Sequence, residues 1–359
     1  MEKRRKSKSR YTYYIILSLV LVVLLVFGSS LFMKNQYKVK GDGPIKVFYL
    51  NSFHSRDFPL AQENIEAFLS FFEEKNIELE IKQFDMDILR NPKNKTFIIS
   101  EAKILIDEYD PDLIYATDDA AQEVISEYYI NSGIPVVFSG VNEDPEKYGY
   151  DKAKNVAGVL ERVHFIDTMN FLLELYPNIK TVGVIGSDYY LWDLVMERML
   201  LQQDKFQNID FVGWNLFYYY SDYKEKILEY QDEVDALVIL GLSGIKEDNE
   251  YVVPDVEFER WTTENNNLPD ITFWNFHVSS GNLLSVDVSP VEQGRAAADM
   301  AYKILIEGHN PSDIEFISTE GGIRNINLKR AEQLGISKED IPSIVLVNSN
   351  VYDSFSWEE

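Results

Sequence analysis

The sequence predicts an α/β fold of two similar units, each with a parallel sheet and helices on both faces. Three observations support this prediction. Short apolar runs of strand length alternate with segments whose apolar residues recur at the helical spacing. The same alternation begins again after Asn155. The chain from residue 44 onward, roughly 316 residues, exceeds the size at which a single hydrophobic core usually divides.

The first unit is predicted from alternating strands and helices. Its strands are the apolar runs at 45–50, 77–84, 113–116 and 135–138. Its helices begin at Leu60 and continue the pattern at 98–109 and 120–129. This order is typical of parallel strands that are connected by crossing helices.

The second unit repeats the plan and adds a tail. Its strands are predicted at 156–160, 181–186, 209–217, 236–240 and 271–275, and its helices at 165–176, 191–203, 222–230 and 256–265. A strand at 283–288 precedes a capping box at 289–292, which begins a helix that ends at Gly308. Strand-like runs at 314–318 and 323–326, a short helix at 328–334 and an apolar run at 344–347 complete the chain.

The N-terminal residues predict a membrane anchor. Residues 1–10 contain six Lys/Arg, and residues 13–33 contain no charge. A helix of this length spans about 31 Å, enough to cross a bilayer, and the basic flank stays cytoplasmic. We therefore expect a cytoplasmic tail at 1–12, a transmembrane signal anchor at 13–33, a linker at 34–43 and an extracellular C-terminal domain in a single-pass cell-membrane protein. The alternative is a cleaved signal peptide, with a small-residue step at 28–30.

Charge and cysteine content restrict the partners and the chemistry. The formal net charge is −25, and the first 43 residues hold nine Lys/Arg against two Asp/Glu, so the remainder is more acidic still. Such a surface repels nucleic acid, and we expect none as a partner. There is no cysteine, which excludes disulfides and lipid attachment through an N-terminal cysteine.

Signatures of catalysis are scarce. The four histidines are not paired at metal-ligand spacing. Residues 241–244 read GLSG, one residue short of a nucleophile elbow. Adjacent carboxylates in so acidic a chain are typical of solvated loops. We therefore expect no catalytic residues, no metal and no cofactor.

Small polar and aromatic residues stand where the predicted strands end. Ligands of open parallel sheets bind beyond the carboxyl ends of the strands, and hydroxyls, amides, carboxylates and rings there suit a small polar or zwitterionic ligand. The alternative is that they only cap the helices that follow. The candidate ligand-binding residues are Ser52, Phe53, Thr117, Asp118, Ser139, Gly140, Asn142, Ser187, Asp188, Tyr189, Gly241 and Asn275.

Several segments carry a family resemblance: PVVFSGVNEDP at 135–145, NVAGVL at 155–160, VEQGRAAADMAYKILIEG at 291–308, NP at 310–311, NLKRAEQLGI at 327–336 and IP at 341–342. Over about 45–347 the chain resembles ABC-transporter substrate-binding proteins of the tryptophan/tyrosine-binding type. The resemblance implies a type I periplasmic-binding-protein fold, with two Rossmann-like lobes joined by three crossing strands. The lobes would be 44–157 plus 290–308, and 158–289 plus 309–359, and they would close on a ligand held in the cleft.

The resemblance also places individual residues. Ser139 and Asn142 match the family loop that faces the ligand, Thr117 and Asp118 match the preceding loop, and Ser52 matches the first. Residues 187–190 read SDYY, where the family often has an Asn-Ser pair after the strand. The identity of the ligand therefore stays open.

Three functions follow, in order of preference. The first is a membrane-anchored solute-binding protein that captures a small polar ligand, such as an amino acid, for an ABC permease. The second is a ligand-sensing accessory protein of a membrane histidine kinase or diguanylate cyclase, because residues 47–68 resemble the start of extracellular sensor domains attached to such enzymes. An extracellular enzyme comes last, because no nucleophile–base pair is identifiable.

Overall fold

The computed structural model describes residues 37, 39, 43–54, 59–87, 94–242, 244–319 and 321–358. Within them the strands are β1 (Ile45–Asn51), β2 (Leu79–Asp85), β3 (Leu113–Thr117), β4 (Val136–Val141), β5 (Val156–Leu160), β6 (Thr181–Ser187), β7 (Asp210–Phe217), β8 (Ala236–Ile239), β9 (Asp270–Thr272), β10 (Leu284–Asp287), β11 (Ile317–Ser318), β12 (Ile323–Asn327) and β13 (Ser349–Tyr352). Their alternation with helices confirms the predicted α/β class.

The α-helices of the described residues are α1 (Pro59–Glu74), α2 (Lys95–Tyr109), α3 (Asp118–Val124), α4 (Phe165–Leu175), α5 (Tyr190–Leu200), α6 (Tyr220–Tyr230), α7 (Asp255–Asn265), α8 (Asn275–Ser280), α9 (Pro290–Leu305), α10 (Leu328–Gln333) and α11 (Ser343–Val347). A π-helical turn, Ile125–Tyr129, continues α3. None of the described helices is long and apolar enough to cross a membrane. The predicted anchor at 13–33 lies outside the described residues.

The strands form two sheets in the described part of the chain. Their orders are β11-β5-β4-β3-β1-β2 and β13-β12-β10-β9-β8-β6-β7. In the first sheet β1 pairs in parallel with β2 and β3, and in the second β6 pairs in parallel with β7 and β8. The strand order therefore reverses between β1 and β3 and again between β6 and β8. Each reversal is a topological switch point, the place at which open α/β sheets bind ligands.

The chain divides into two compact units. The first comprises the described residues up to Phe138, Tyr148–Gly158 and Arg295–Phe316, and the second comprises Ser139–Lys147, Val159–Gly294 and Ile317–Glu359. This two-lobed α/β arrangement with parallel pairing agrees with the predicted fold class. The lobes predicted from the sequence are the two halves that are expected to close on a ligand. Their limits remain a prediction.

Each unit has its own core. In the first, Tyr115 of β3 lies between Phe68 and Tyr49, with ring centroids 4.3 and 5.5 Å away, and all three are fully buried. In the second, Tyr223 and Tyr230 of α6 pack with apolar residues of β6 and β8. Both cores form because near-continuous apolar strands are covered by the apolar faces of helices.

One predicted strand ends early, and an apolar run for which no structure was predicted is helical. The predicted strand at 271–275 ends at Thr272, and Asn275 instead begins α8. The Asn275 amide donates to Asp287 Oδ1 at 3.3 Å, and a carboxylate that accepts from a helix N-terminus favours this ending. The apolar run at 344–347 belongs to α11, and the strand β13 follows it at the edge of the second sheet.

Candidate functional site

The switch point of the first unit brings Ser52 and Thr117 together. They follow and end the paired strands β1 and β3, and both are buried. The Ser52 hydroxyl donates to the Thr117 carbonyl at 2.6 Å and accepts from the Ala121 amide at 2.8 Å. Ser52 thus satisfies backbone groups at the start of α3, as the capping interpretation expects. Its role toward a ligand remains a prediction.

Thr117 belongs to a buried polar cluster with Asn51 and Tyr49. Its hydroxyl donates to Asn51 Oδ1 at 3.1 Å and lies 3.4 Å from the Tyr49 hydroxyl. Burial raises the pKa of Tyr49, which therefore stays a neutral phenol. The cluster fixes the end of β1 relative to β3, so the residues beyond these ends have defined positions.

Phe53 and Asp118 stand just beyond the same two strand ends. The Phe53 amide donates to Asn51 Oδ1 at 3.3 Å, and its side chain is half-buried. Asp118 is half-buried at the first position of α3 with a φ of 61°. Such a left-handed backbone costs about 1–2 kcal/mol in most residues and is most accessible to Gly, Asn and Asp.

The switch point of the second unit brings Ser187 and Gly241 together at the ends of β6 and β8. The Ser187 amide donates to the Gly241 carbonyl at 2.9 Å. Gly241 has a φ of 127°, and a Cβ there would lie 3.0 Å from Trp192 Cζ2 and 3.3 Å from His277 Nε2. A glycine is required because the backbone passes close to both rings.

Aromatic rings gather beside this second switch point. Trp192 donates through Nε1 to the Ser187 hydroxyl at 3.2 Å, and its ring lies 5.1 Å from Trp274 and 5.8 Å from Tyr189. Tyr189 is half-buried, whereas Asp188 is exposed. Neither tryptophan was among the predicted ligand-binding residues: Trp192 was interpreted as a core or surface residue, and no pattern in the sequence singles out Trp274.

A buried acid–base pair lies close to Gly241. His277 Nδ1 is 2.5 Å from Glu259 Oε1, and both side chains are buried. They line a cavity of about 10 Å³ together with Tyr223, Thr262 and Asn282, room for about one water molecule. The two residues are 18 positions apart on different helices, so the sequence spacing gave no sign of their contact.

The third group of predicted residues lies at the end of β4, which runs three residues further than predicted, so that Ser139 and Gly140 belong to the strand and only Asn142 follows it. Ser139 and Asn142 are buried, and Gly140 donates its amide to Gln293 Oε1 at 2.7 Å. The Asn142 side-chain amide lies 3.5 Å from both the Gly140 carbonyl and Glu161 Oε1. Asn275, half-buried at the start of α8, does not belong to this group.

The structure therefore brings the predicted residues together in three places, each inside one unit. Ser52, Phe53, Thr117 and Asp118 form one group, Ser187, Asp188, Tyr189 and Gly241 a second, and Ser139, Gly140 and Asn142 a third. In the described residues no group of three or more His, Asp or Glu side chains is arranged to hold a metal ion.

Comparison with known proteins decides the family. The sequence profile described as ABC transporter substrate binding protein matches residues 62–349, most of the chain. The chain belongs to this family. A search of curated proteins found no match.

Solved structures share the fold of this family member. A conserved domain protein from Vibrio cholerae is 21% identical, with a TM-score of 0.64 over 87% of this chain and 100% of that chain. The ABC domain of a Streptococcus pneumonia protein in complex with L-Trp is 19% identical, with a TM-score of 0.59 over 86% and 99%. An open, ligand-free substrate-binding protein with adhesive properties from Clostridium difficile is also 19% identical, with a TM-score of 0.66 over 86% and 99%.

Proposed function

We propose that this chain captures a small polar ligand, an amino acid or a related compound, and presents it to an ABC permease. The observation that carries the proposal is the family match over residues 62–349. The polar and aromatic groups at the two switch points support it, because this is where parallel sheets offer hydrogen-bond donors and rings to a ligand. The L-Trp complex of a structurally similar protein supports the amino acid class. The proposal includes no catalytic step.

The proposal has a finer form. The ligand lies in a cleft between lobes 44–157 plus 290–308 and 158–289 plus 309–359, which three crossing strands join and which close by hinge motion. The apolar residues 13–33 anchor the protein with its C-terminal domain outside the cell. An accessory sensor of a kinase or cyclase would use the same ligand site and would differ only in its membrane partner.

The test is a thermal-melting screen of the full-length chain against amino acids, purines and small peptides. A ligand that binds only the folded protein raises the melting temperature, by an amount that corresponds to about 2.7 kcal/mol at a hundredfold excess over Kd. Asp118→Asn removes the charge and keeps a residue that tolerates the left-handed backbone, so it should abolish the shift without lowering the melting temperature of the free protein. The proposal is wrong if none of these compounds shifts the midpoint.

A further inference from the structure

The second unit contains a small crevice whose charges have no place in the function described so far. Its volume is about 30 Å³, and Arg162, Arg198, Val163 and Val195 line it beside Asn142 and Glu161. We call it the arginine crevice. Two valine walls limit the access of water to the guanidinium groups, which strengthens their attraction for an anion.

A carboxylate of the protein itself, that of Asp144, pairs with both arginines of the arginine crevice from its exposed side. Asp144 Oδ1 lies 3.0 Å from Arg198 Nη2 and 3.5 Å from Arg162 Nη2. One oxygen thus accepts from both guanidinium groups. The Asp144 side chain is 72% exposed, whereas the arginines are 19% and 25% exposed. The cations are therefore held by the protein, and the anion that pairs with them is at the surface.

Arg162 is preorganised for an anion. Its Nη1 donates to the backbone carbonyls of Val141, Asn142 and Glu161 at 3.1, 3.0 and 2.6 Å. These bonds fix the plane of the guanidinium, so little side-chain entropy is lost when it binds an acceptor. Arg198 comes from the last turn of α5, where the backbone holds it. The two donors keep their positions whichever carboxylate they bind.

Asp144 is free to rotate out of this arrangement. Its carbonyl accepts from the Lys147 amide at 2.9 Å, so the backbone of the segment is held without the help of the side chain. Glu161 supplies the second negative charge of the crevice, and its oxygens accept from Asn142 at 3.5 Å and Gln293 at 3.3 Å. Exchange of the Asp144 carboxylate for another carboxylate leaves this charge balance unchanged.

We propose that Arg198 and Arg162 form a binding site for the carboxylate of a small acid, and that Asp144 is its internal substitute, displaced when the acid binds. This assignment rests on the proposed solute-binding function and adds to it a chemical requirement, a ligand with a free carboxylate. The crevice is small, about 30 Å³, so the remainder of the ligand lies outside it.

The experiment follows the Arg198 guanidinium directly by NMR, in full-length protein labelled with ¹⁵N-arginine. Sodium propionate is titrated against its isosteric amide, propionamide, at constant ionic strength. The Arg198 and Arg162 Nε resonances are assigned from the Arg198→Gln and Arg162→Gln variants. Propionate should shift both resonances in a saturable way, and propionamide should leave them in place.

Substitutions provide the decisive comparison. Asp144→Asn removes the competing charge with little change of shape, and the half-saturating propionate concentration should fall about threefold, as expected for loss of a surface ion pair. Arg198→Gln should raise it about tenfold or more. Arg260, which pairs with Glu264 on α7 at 2.8 Å, provides the matched control, and Arg260→Gln should leave it unchanged.

Two outcomes overturn the assignment: a response to propionate no larger than the response to propionamide, or an unchanged half-saturating concentration in Asp144→Asn. The gain expected for Asp144→Asn cannot arise from misfolding. Failure of the proposed function looks different, because the melting screen would then find no ligand while propionate would still titrate Arg198.

Discussion

Arg330 and Asp270 form an ion pair inside the second unit, where each side chain is 1% exposed. Arg330 Nε and Nη2 donate to the two carboxylate oxygens of Asp270 at 3.2 and 3.0 Å. Further guanidinium bonds reach the carbonyls of Thr263 and Asn266 at 3.2 and 3.0 Å. A buried charge is tolerated only when it is paired and its hydrogen bonds are satisfied, and this network meets both conditions.

We therefore predict a large loss of stability for Arg330→Met. The substitution leaves the Asp270 carboxylate buried without its counterion, which should lower the free energy of unfolding by about 3–5 kcal/mol. Urea denaturation followed by circular dichroism measures the change. The control is Arg260→Met, which breaks an exposed pair and should cost less than about 1 kcal/mol. Equal losses of unfolding free energy in the two variants would show that the buried network contributes no more to stability than an exposed ion pair.

At the level of secondary-structure elements, the packing of β5 beside β4 requires a glycine at position 158. Gly158 of β5 faces the ring of Phe138 on β4, and a Cβ at this position would lie 2.4 Å from the ring carbons. Phe138 is fully buried and packs against Tyr150 and Phe316, each with a ring-centroid distance of 5.5 Å. The ring therefore has little room to move aside, and the glycine marks a close approach within the sheet.

Gly158→Ala should accordingly destabilise the first unit through overpacking. We expect a loss of about 1–3 kcal/mol in the free energy of unfolding, because Phe138 must leave its position for the methyl group to fit. Denaturant titration of Gly158→Ala, and of Gly43→Ala as the control, measures the change. A Cβ at Gly43 meets nothing within 4 Å, so this change should stay within about 0.5 kcal/mol. If Gly158→Ala leaves the free energy of unfolding unchanged, the Phe138 ring can move aside and the prediction is wrong.

The same elements show how far the sequence predicts this molecule. The strand ends at Ser52, Thr117 and Ser187 were identifiable because long apolar runs stop there and polar residues follow. The edge strand β13 was missed because none of its four residues is buried and they form no apolar run. The six-residue helix α8 is too short to show a helical period.

The crevice residues could not be predicted for a different reason. Arg162 and Arg198 lie 36 positions apart, and each alone looks like an ordinary solvated cation. Their convergence on Asp144 is a tertiary contact, and a single sequence does not reveal it. The contact between Glu259 and His277 was missed for the same reason.

For the whole molecule, the dominant electrostatic quantity is the net charge of −25. The described exposed ion pairs, such as Lys95–Glu123 and Arg295–Glu74, contribute little individually. Like charges spread over the surface repel one another more strongly in the folded state, because folding brings them closer together. Salt therefore weakens both the attraction within exposed ion pairs and the repulsion among the carboxylates. Because acidic residues are in large excess, the repulsion is the larger of the two.

We predict that added salt stabilises this protein. Raising sodium chloride from about 0.01 M to about 0.15 M shortens the Debye length from about 30 Å to about 8 Å, which screens the repulsion among distant carboxylates. The melting temperature of the full-length chain should therefore rise over this range, and most of the rise should come at its lower end. Sucrose at matched osmolality serves as the uncharged control and separates screening from exclusion effects. A melting temperature that falls with salt would show that the exposed ion pairs outweigh the repulsion, and the acidic surface would then have to be organised as a network of attractive pairs.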